Sequence, residues 1–220
     1  MRNLNKMILV MMSVTLLATT SCLRERICGE GSIKTQERNV SSFEKINMYG
    51  SAEVNIVYGP VVKVTVTDYA NLLPYIETEV NGSTLEIQIR DKVFIRNSQL
   101  KVYIETPTYS GGRIEGSSKT TATGPFENNT IDFDIDGSGD VVIKNDSVQN
   151  VKLEINGSGT INTTGLYAEN GDATINGSGT IKINAYKYLD AKINGSGNIY
   201  YMADPKINVT IAGSGNVKKL

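Results

Sequence analysis

Apolar and polar residues alternate along most of the second half of the chain. From Val151 to Ile155 the order is Val-Lys-Leu-Glu-Ile, so every second side chain is apolar. A period of two is typical of β-strands with one buried face, because successive side chains of a strand point to opposite sides. Helical spacing is absent beyond one short turn in residues 69–75. The pattern therefore predicts an all-β protein.

A Gly-Ser-Gly turn interrupts each alternating segment at regular intervals. Five copies begin 20, 20, 18 and 18 residues apart, at Gly137, Gly157, Gly177, Gly195 and Gly213. Altered copies precede them at Gly50 and Gly116. A period near 20 residues is typical of solenoids, in which each repeat forms one coil. The repeats predict a single-domain parallel β-solenoid with coils of about 18–21 residues, each made of a strand, the Gly-Ser-Gly turn, a second strand and a loop.

Stacking such coils has consequences for individual positions. Glycine is expected at the turn because a tight bend requires positive φ or close backbone approach. Asn156, Asn176 and Asn194 each precede a turn, and stacking would align them in a ladder of hydrogen-bonded amides. Most of the repeat therefore encodes shape, and only a few positions are free to carry chemistry.

The predicted boundaries divide the chain into a signal peptide, a tether and a solenoid. We predict a β-solenoid over residues 41–220, with irregular coils in 41–110 and regular Gly-Ser-Gly repeats in 111–220. About nine coils would fit this length, and a β-sandwich cap is the alternative for the irregular part. Residues 22–40 are predicted to be a flexible tether. Residues 1–21 are predicted to be a signal peptide, because a basic start is followed by an apolar run and small residues.

Cys22 follows the small residues directly, as the lipid-modified cysteine of a bacterial lipoprotein does. We therefore expect lipidation of Cys22 and anchoring of the exported protein in the outer membrane. The residues after it, from Leu23 to Arg26, are predominantly basic, so exposure at the cell surface and a periplasmic orientation both remain open.

The amino-acid composition narrows the range of possible functions. The chain contains no His, the most common general base and zinc ligand, which disfavours most hydrolases and zinc enzymes. Its formal net charge is −1 at pH 7, whereas nucleic-acid-binding surfaces carry an excess of basic residues. We expect no enzymatic activity, no cofactor and no nucleic-acid partner.

Three segments resemble a known family. They are FEKINMYGSAEVNIVYG (Phe43–Gly59), TEVNGSTLEIQI (Thr78–Ile89) and VYIETP (Val102–Pro107), followed by the Gly-Ser-Gly repeats. Their order is similar to that of the auto-transporter adhesin, head GIN domain family of Bacteroidetes-type bacteria, over nearly all of residues 40–220. The resemblance implies a right-handed β-helix-like fold in secreted or lipid-anchored proteins, and it implies no catalytic site.

Four carboxylates form the first candidate site. Asp132, Asp134 and Asp136 alternate along one strand, so they share one face, and Asp140 follows the turn. Such a cluster is a candidate for weak cation binding, or for the catalytic carboxylates of a carbohydrate-active β-helix protein. The alternative is a solvated outer face with no ligand.

Tyrosines form the second candidate site. Tyr186, Tyr188, Tyr200 and Tyr201 belong to the last coils, and aromatic rings stack on sugars and anchor protein interfaces. They are candidates for a ligand or interface face that binds a glycan or a protein. The alternative is packing within the loops and at the end of the solenoid.

The last repeat, at residues 217–220, has no polar cap in the sequence. An open solenoid end exposes unpaired strand edges, so we expect it to self-associate or to be covered by its own irregular backbone. The sequence as a whole favours a non-enzymatic cell-envelope lipoprotein that serves as an adhesin-like binding or structural module. A carbohydrate-active protein and a periplasmic envelope-assembly or stress component are the alternatives.

Overall fold

The computed structural model describes residues 25–220 and contains eighteen strands in that range. The predicted signal peptide and Cys22 lie outside the described residues. The strands are β1 (Glu25–Cys28), β2 (Ile33–Arg38), β3 (Lys45–Gly50), β4 (Glu53–Tyr58), β5 (Lys63–Tyr69), β6 (Ile76–Asn81), β7 (Thr84–Ile89), β8 (Val93–Arg96), β9 (Lys101–Thr106), β10 (Gly111–Gly116), β11 (Lys119–Thr123), β12 (Thr130–Gly137), β13 (Asp140–Gly157), β14 (Thr160–Gly177), β15 (Thr180–Gly195), β16 (Asn198–Met202), β17 (Lys206–Gly213) and β18 (Asn216–Lys219). One 3₁₀ turn, at Leu73–Tyr75, interrupts them, as the sequence indicated.

Parallel coils stack in register on two faces. On the first face, the strands before each corner pair in the order β7, β3, β10, β12, and then the second halves of β13, β14 and β15 lead to β17. On the second face, β9, β4 and β11 lead through the first halves of β13, β14 and β15 to β16 and β18. The all-β, single-domain β-solenoid predicted from the repeats is confirmed.

The first coil does not occupy the first place in the stack. Strand β3 lies between β7 and β10, and β4 lies between β9 and β11. Strands β3 and β4 therefore form the first coil along the chain. The next coil, of β7 and β9, stacks on one side of it, and the coil that begins with β10 stacks on the other side. The regular part makes about five turns. Residues 59–83 add no coil, because they contribute antiparallel strands instead.

Antiparallel strands cover the end of the solenoid near the N-terminus. Strand β5 pairs with β9, β2 pairs with β5, and β6 pairs with β7, all antiparallel. These strands continue the same sheet, so the alternative of a separate sandwich cap is not needed.

The predicted flexible tether of residues 22–40 is wrong for most of its length. Strand β1 pairs with β8, and β2 forms a six-residue ladder with β5. Arg38 also donates a hydrogen bond of 2.9 Å to the carbonyl oxygen of Leu73. These two strands were not predicted because their residues are mostly polar and do not alternate. An edge ladder is stabilised by backbone hydrogen bonds more than by buried side chains, so it needs no such pattern.

Inward-facing residues form one continuous core. Ile135, Ile155, Ile175 and Ile193 stack above one another, and each is at most 1% exposed. The alternation in the sequence correctly predicted which side chains are buried.

Corner glycines allow the coils to approach closely. Gly157 has φ of +139°, and a Cβ atom there would collide with the carbonyl oxygen of Gly137 in the coil below. Ser158 donates its backbone N–H to that same oxygen at 2.9 Å. The glycine is therefore required both by its backbone conformation and by the space available.

The predicted asparagine ladder is also present. The Nδ2 atom of Asn194 donates to Oδ1 of Asn176, and Nδ2 of Asn176 donates to Oδ1 of Asn156, both at 2.8 Å. Asn156 in turn donates to Oδ1 of Asp136 at 2.9 Å, so a carboxylate ends the row.

Within the described residues, no helix has the length and apolar character needed to cross a membrane.

Candidate binding surfaces

The row of three aspartates on β12 faces basic residues of neighbouring coils. Lys45 lies 3.3 Å from Asp132, and Arg113 lies 3.4 Å from both Asp134 and Asp136. Strands β3 and β10 bring these bases into place because all three strands run parallel and in register. Each aspartate of the row therefore has a basic partner, although Arg113 is shared between Asp134, Asp136 and Glu115.

Asp134 has the most unusual environment of the row. Burial raises its pKa, and the negative charge of Asp132 adds to this effect, while the hydrogen bond and charge of Arg113 oppose it. The Oδ1 atoms of Asp132 and Asp134 are buried without a hydrogen-bond partner. A half-buried carboxyl with a raised pKa is the group in this row best suited to proton transfer.

Asp140 lies apart from the other three carboxylates. It follows the corner on β13, where its register partners are Lys119 and Thr160 on the second face. The expectation that four carboxylates share one site is therefore wrong, because the Gly-Ser-Gly corner places Asp136 on the first face and Asp140 on the second. Among residues 25–220, no group of three or more His, Cys, Asp or Glu side chains is arranged to hold a metal ion.

Two of the predicted tyrosines project into solvent on the side opposite the glycine corners. Tyr186 and Tyr188 on β15 are 47% and 56% exposed. Tyr167 on β14, which is not among the four tyrosines selected from the sequence, is 63% exposed. Ala168 pairs with Ala185, so Tyr167 and Tyr186 flank that pair in adjacent coils. We call Tyr167, Tyr186 and Tyr188 the tyrosine cluster.

Polar groups accompany the tyrosine cluster. Lys187 lies 2.6 Å from Glu169, which belongs to the adjacent coil. The hydrogen bond from Lys187 lowers the pKa of Glu169, so this carboxylate is ionised at neutral pH. The cluster therefore combines exposed aromatic rings with a charged hydrogen-bonding pair. The register offers no repeat signal for Tyr167, because Ala168 pairs with Ala185 and Tyr167 therefore does not occupy the position of Tyr186 in the next coil.

Tyr200 and Tyr201 do not join this cluster. Both lie on β16, where their partners on β15 are Lys182 and Ile183. Tyr201 is half-buried and packs against the core, while Tyr200 faces outward between Lys182 and Lys218. The four predicted tyrosines therefore belong to two places, and only Tyr186 and Tyr188 share an exposed one.

The last coil leaves apolar side chains open to solvent. Ile207, Val209 and Ile211, the apolar row of β17, are 36%, 44% and 42% exposed. The residues stacked beneath them on β15 are at most 1% exposed: Leu189, Ala191 and Ile193. An open cavity of about 240 Å³ is lined by residues of both strands: Tyr188, Leu189, Asp190, Lys206, Ile207 and Asn208. The alternative of a cover formed by the chain's own backbone is not seen among residues 25–220.

Stacked parallel coils with open outer surfaces define a β-solenoid protein. The chain belongs to the family described as "Putative auto-transporter adhesin, head GIN domain", whose model matches residues 42–220. The family predicted from the three segments and the repeats is thus confirmed.

Solved structures share the fold. A protein described as a "putative adhesin" from Bacteroides fragilis is similar with a TM-score of 0.74 and 21% identity, over 88% of this chain and 100% of that one. A "putative lipid binding protein" from Parabacteroides distasonis has a TM-score of 0.65 and 25% identity, over 89% and 100%. A "putative adhesin" from Parabacteroides distasonis has 0.59 and 20%, over 89% and 100%. The comparison with curated proteins finds no match.

Proposed function

We propose that this protein is a non-enzymatic, adhesin-like binding module of the bacterial cell envelope, anchored through a lipid on Cys22. Family membership and the structures described as adhesins support the adhesin-like role. The observation that carries the proposal is the tyrosine cluster. Three aromatic side chains project from adjacent coils of a rigid solenoid, at exposures of 47–63%.

The chemistry of the cluster favours a glycan as ligand. Tyrosine rings offer flat apolar surfaces to the faces of sugars, and their hydroxyl groups remain available for hydrogen bonds. Glu169 and Lys187 supply a charged acceptor and donor beside the rings. An exposed site of this kind binds weakly, so many copies on one cell would be needed for firm attachment.

A glycan-binding assay tests this role directly. Immobilised cell-surface glycans should retain the wild-type protein, and Tyr186→Ala combined with Tyr188→Ala should reduce retention at least about tenfold, as expected for hot-spot tyrosines. Tyr103→Ala is the matched control, because Tyr103 is 43% exposed but lies on β9 at the other end of the solenoid. Retention that survives the double substitution would disprove a role for the cluster. Retention on lipid vesicles alone would instead identify lipid as the ligand, as in the name of one structural neighbour.

Location is tested by protease treatment of intact cells. A surface lipoprotein should be degraded, and the Cys22→Ala variant should disappear from the membrane fraction. Protection until the outer membrane is opened would contradict the adhesin role. It would favour the alternative of a periplasmic assembly or stress component.

A carbohydrate-active alternative rests on Asp134, whose pKa is raised mainly by burial. Turnover of oligosaccharides by the wild-type protein, lost in Asp134→Asn and retained in Asp172→Asn two coils away, would establish it. Absence of turnover across a panel of acidic and neutral oligosaccharides would eliminate it.

A further inference from the structure

The backbone of β17 has one paired and one unpaired side. In the stacked coils, the N–H of Asp132 donates to the carbonyl oxygen of Ser110 in the coil below, and Asn208 occupies the equivalent position in the last coil. Backbone groups of successive residues in a parallel ladder point to alternate neighbours. The N–H and C=O groups of the apolar row, Ile207, Val209 and Ile211, therefore point to the open side.

From Ile207 onward, β17 lacks the features that protect an edge strand from pairing. Natural edge strands are commonly protected by charged residues, especially Lys, by proline or by bulges. Between Ile207 and Gly213 the strand contains no charged residue and no proline, and its ladder with β15 is continuous. Strand β18 differs, because Lys218 and Lys219 lie within its four residues. The last coil thus has one protected edge and one unprotected edge.

The unprotected edge is complementary to itself. About a two-fold axis through Val209, Ile207 meets Ile211 of the second copy, and Asn208 meets Thr210. This antiparallel register pairs residues whose backbone groups are both free, and it places apolar row against apolar row. Along β17, Lys206 meets Ala212, so no like charges face each other within this strand pairing.

We propose that β17 is a docking surface for a second copy of this chain, which adds its own β17 antiparallel about a two-fold axis through Val209. The apolar rows of the two copies then form one continuous core across the junction. The apolar side chains of each β17 become buried, as the corresponding side chains of β15 already are. Lipid anchors of the two chains would be carried at the opposite ends of a longer rod.

The oligomeric state in solution tests the proposal. We would follow the full chain carrying Cys22→Ala, to prevent lipidation, by sedimentation equilibrium over a dilution series. A reversible monomer–dimer equilibrium is expected. Val209→Lys should abolish it, since the two lysines would meet at the axis, yet in the monomer a side chain at this exposed position can reach water.

Ile33→Lys provides the matched control. Ile33 is 43% exposed, against 44% for Val209, but it lies on edge strand β2 at the other end of the solenoid. This variant should dimerise as the wild type does. Circular dichroism melting of both variants checks that the coils remain folded.

Cross-linking tests the register separately. In a chain that also carries Cys28→Ser, Val209→Cys should form a disulfide-linked dimer on mild oxidation, because directly opposed residues of a hydrogen-bonded antiparallel pair have Cα atoms about 5.5 Å apart. Ile207→Cys alone should not, since residue 207 faces residue 211. The double variant Ile207→Cys with Ile211→Cys should cross-link again.

Several outcomes would overturn the proposal. They are a monomer at every concentration, dissociation by Ile33→Lys instead of Val209→Lys, and cross-linking by Ile207→Cys alone. Stoichiometric recovery of a different protein on β17 would also overturn it, because the docking partner would then not be a second copy. Each of these results leaves the glycan-binding test of the tyrosine cluster unaffected.

Discussion

At the scale of single residues, the corner glycines determine how closely the coils stack. Gly137, Gly157, Gly177, Gly195 and Gly213 pair with one another in register and have φ between +132° and +140°. Each would direct a Cβ atom into the carbonyl oxygen of the preceding corner. A side chain at these positions thus has neither an allowed backbone conformation nor space.

Replacing Gly157 with alanine should lower the free energy of unfolding by about 3 kcal/mol or more, since backbone strain and a collision with backbone add up. Gly82→Ala is the control. Gly82 also has positive φ, of +62°, but a Cβ atom there meets nothing within 4 Å, so the cost should be about 1 kcal/mol. Urea unfolding measures both values. Equal losses would mean that close packing at the corner contributes little.

Asp146 gives a pH dependence at the same scale. It is 6% exposed, and burial raises its pKa although the backbone N–H groups of Ser147 and Phe126 oppose this. The folded state therefore holds the proton more tightly than the unfolded state, so this group's contribution to stability falls as pH rises through the raised pKa. The free energy of unfolding of the wild type minus that of Asp146→Asn should decrease from acidic to neutral pH. A difference that is constant or increases would contradict the shift.

At the scale of elements, the side-chain ladder outside the corner links successive coils. Asn176 accepts from Asn194 and donates to Asn156 and, at 3.3 Å, to Glu154, whereas Asn194 only donates within the row. Asn176→Ala should therefore cost at least twice as much as Asn194→Ala, with each lost hydrogen bond worth about 1 kcal/mol. Thermal or urea unfolding of the two variants makes the comparison. Equal and negligible losses would show that water replaces the ladder without cost.

The structural elements that repeat could be predicted from the sequence, and those that do not repeat could not. Alternation located the core isoleucines and the period located the corners, because both follow from the stacking itself. The insertion of β3 and β4 between later coils could not be inferred, since strand order depends on long-range pairing that leaves no local pattern. The same holds for β2, a ladder with exposed side chains, and for the separation of Asp140 from Asp136 by a corner. Tyr167 was not among the four selected tyrosines, and the register gives it no tyrosine partner in the next coil.

At the scale of the whole molecule, the two ends of the solenoid differ. Antiparallel strands β2, β5 and β6 cover the end near the N-terminus, while β17 leaves its apolar row exposed. In a solenoid each coil contacts only its neighbours, so stability is lost first at the end with the fewest contacts. The last coil should open without unfolding of the rest.

Hydrogen exchange can follow this opening. Amides of β17 and β18 in the Val209→Lys monomer should exchange with a lower opening free energy than amides of β14, which has a coil on each side. In the wild-type chain, protection of β17 should increase with protein concentration, since docking of a second copy covers the same edge. Protection of β14 should stay constant, which makes it an internal reference. Uniform protection of β14 and β17 in the monomer would show that the open end is held by interactions other than stacking, and the edge would then have no free energy to gain from a partner.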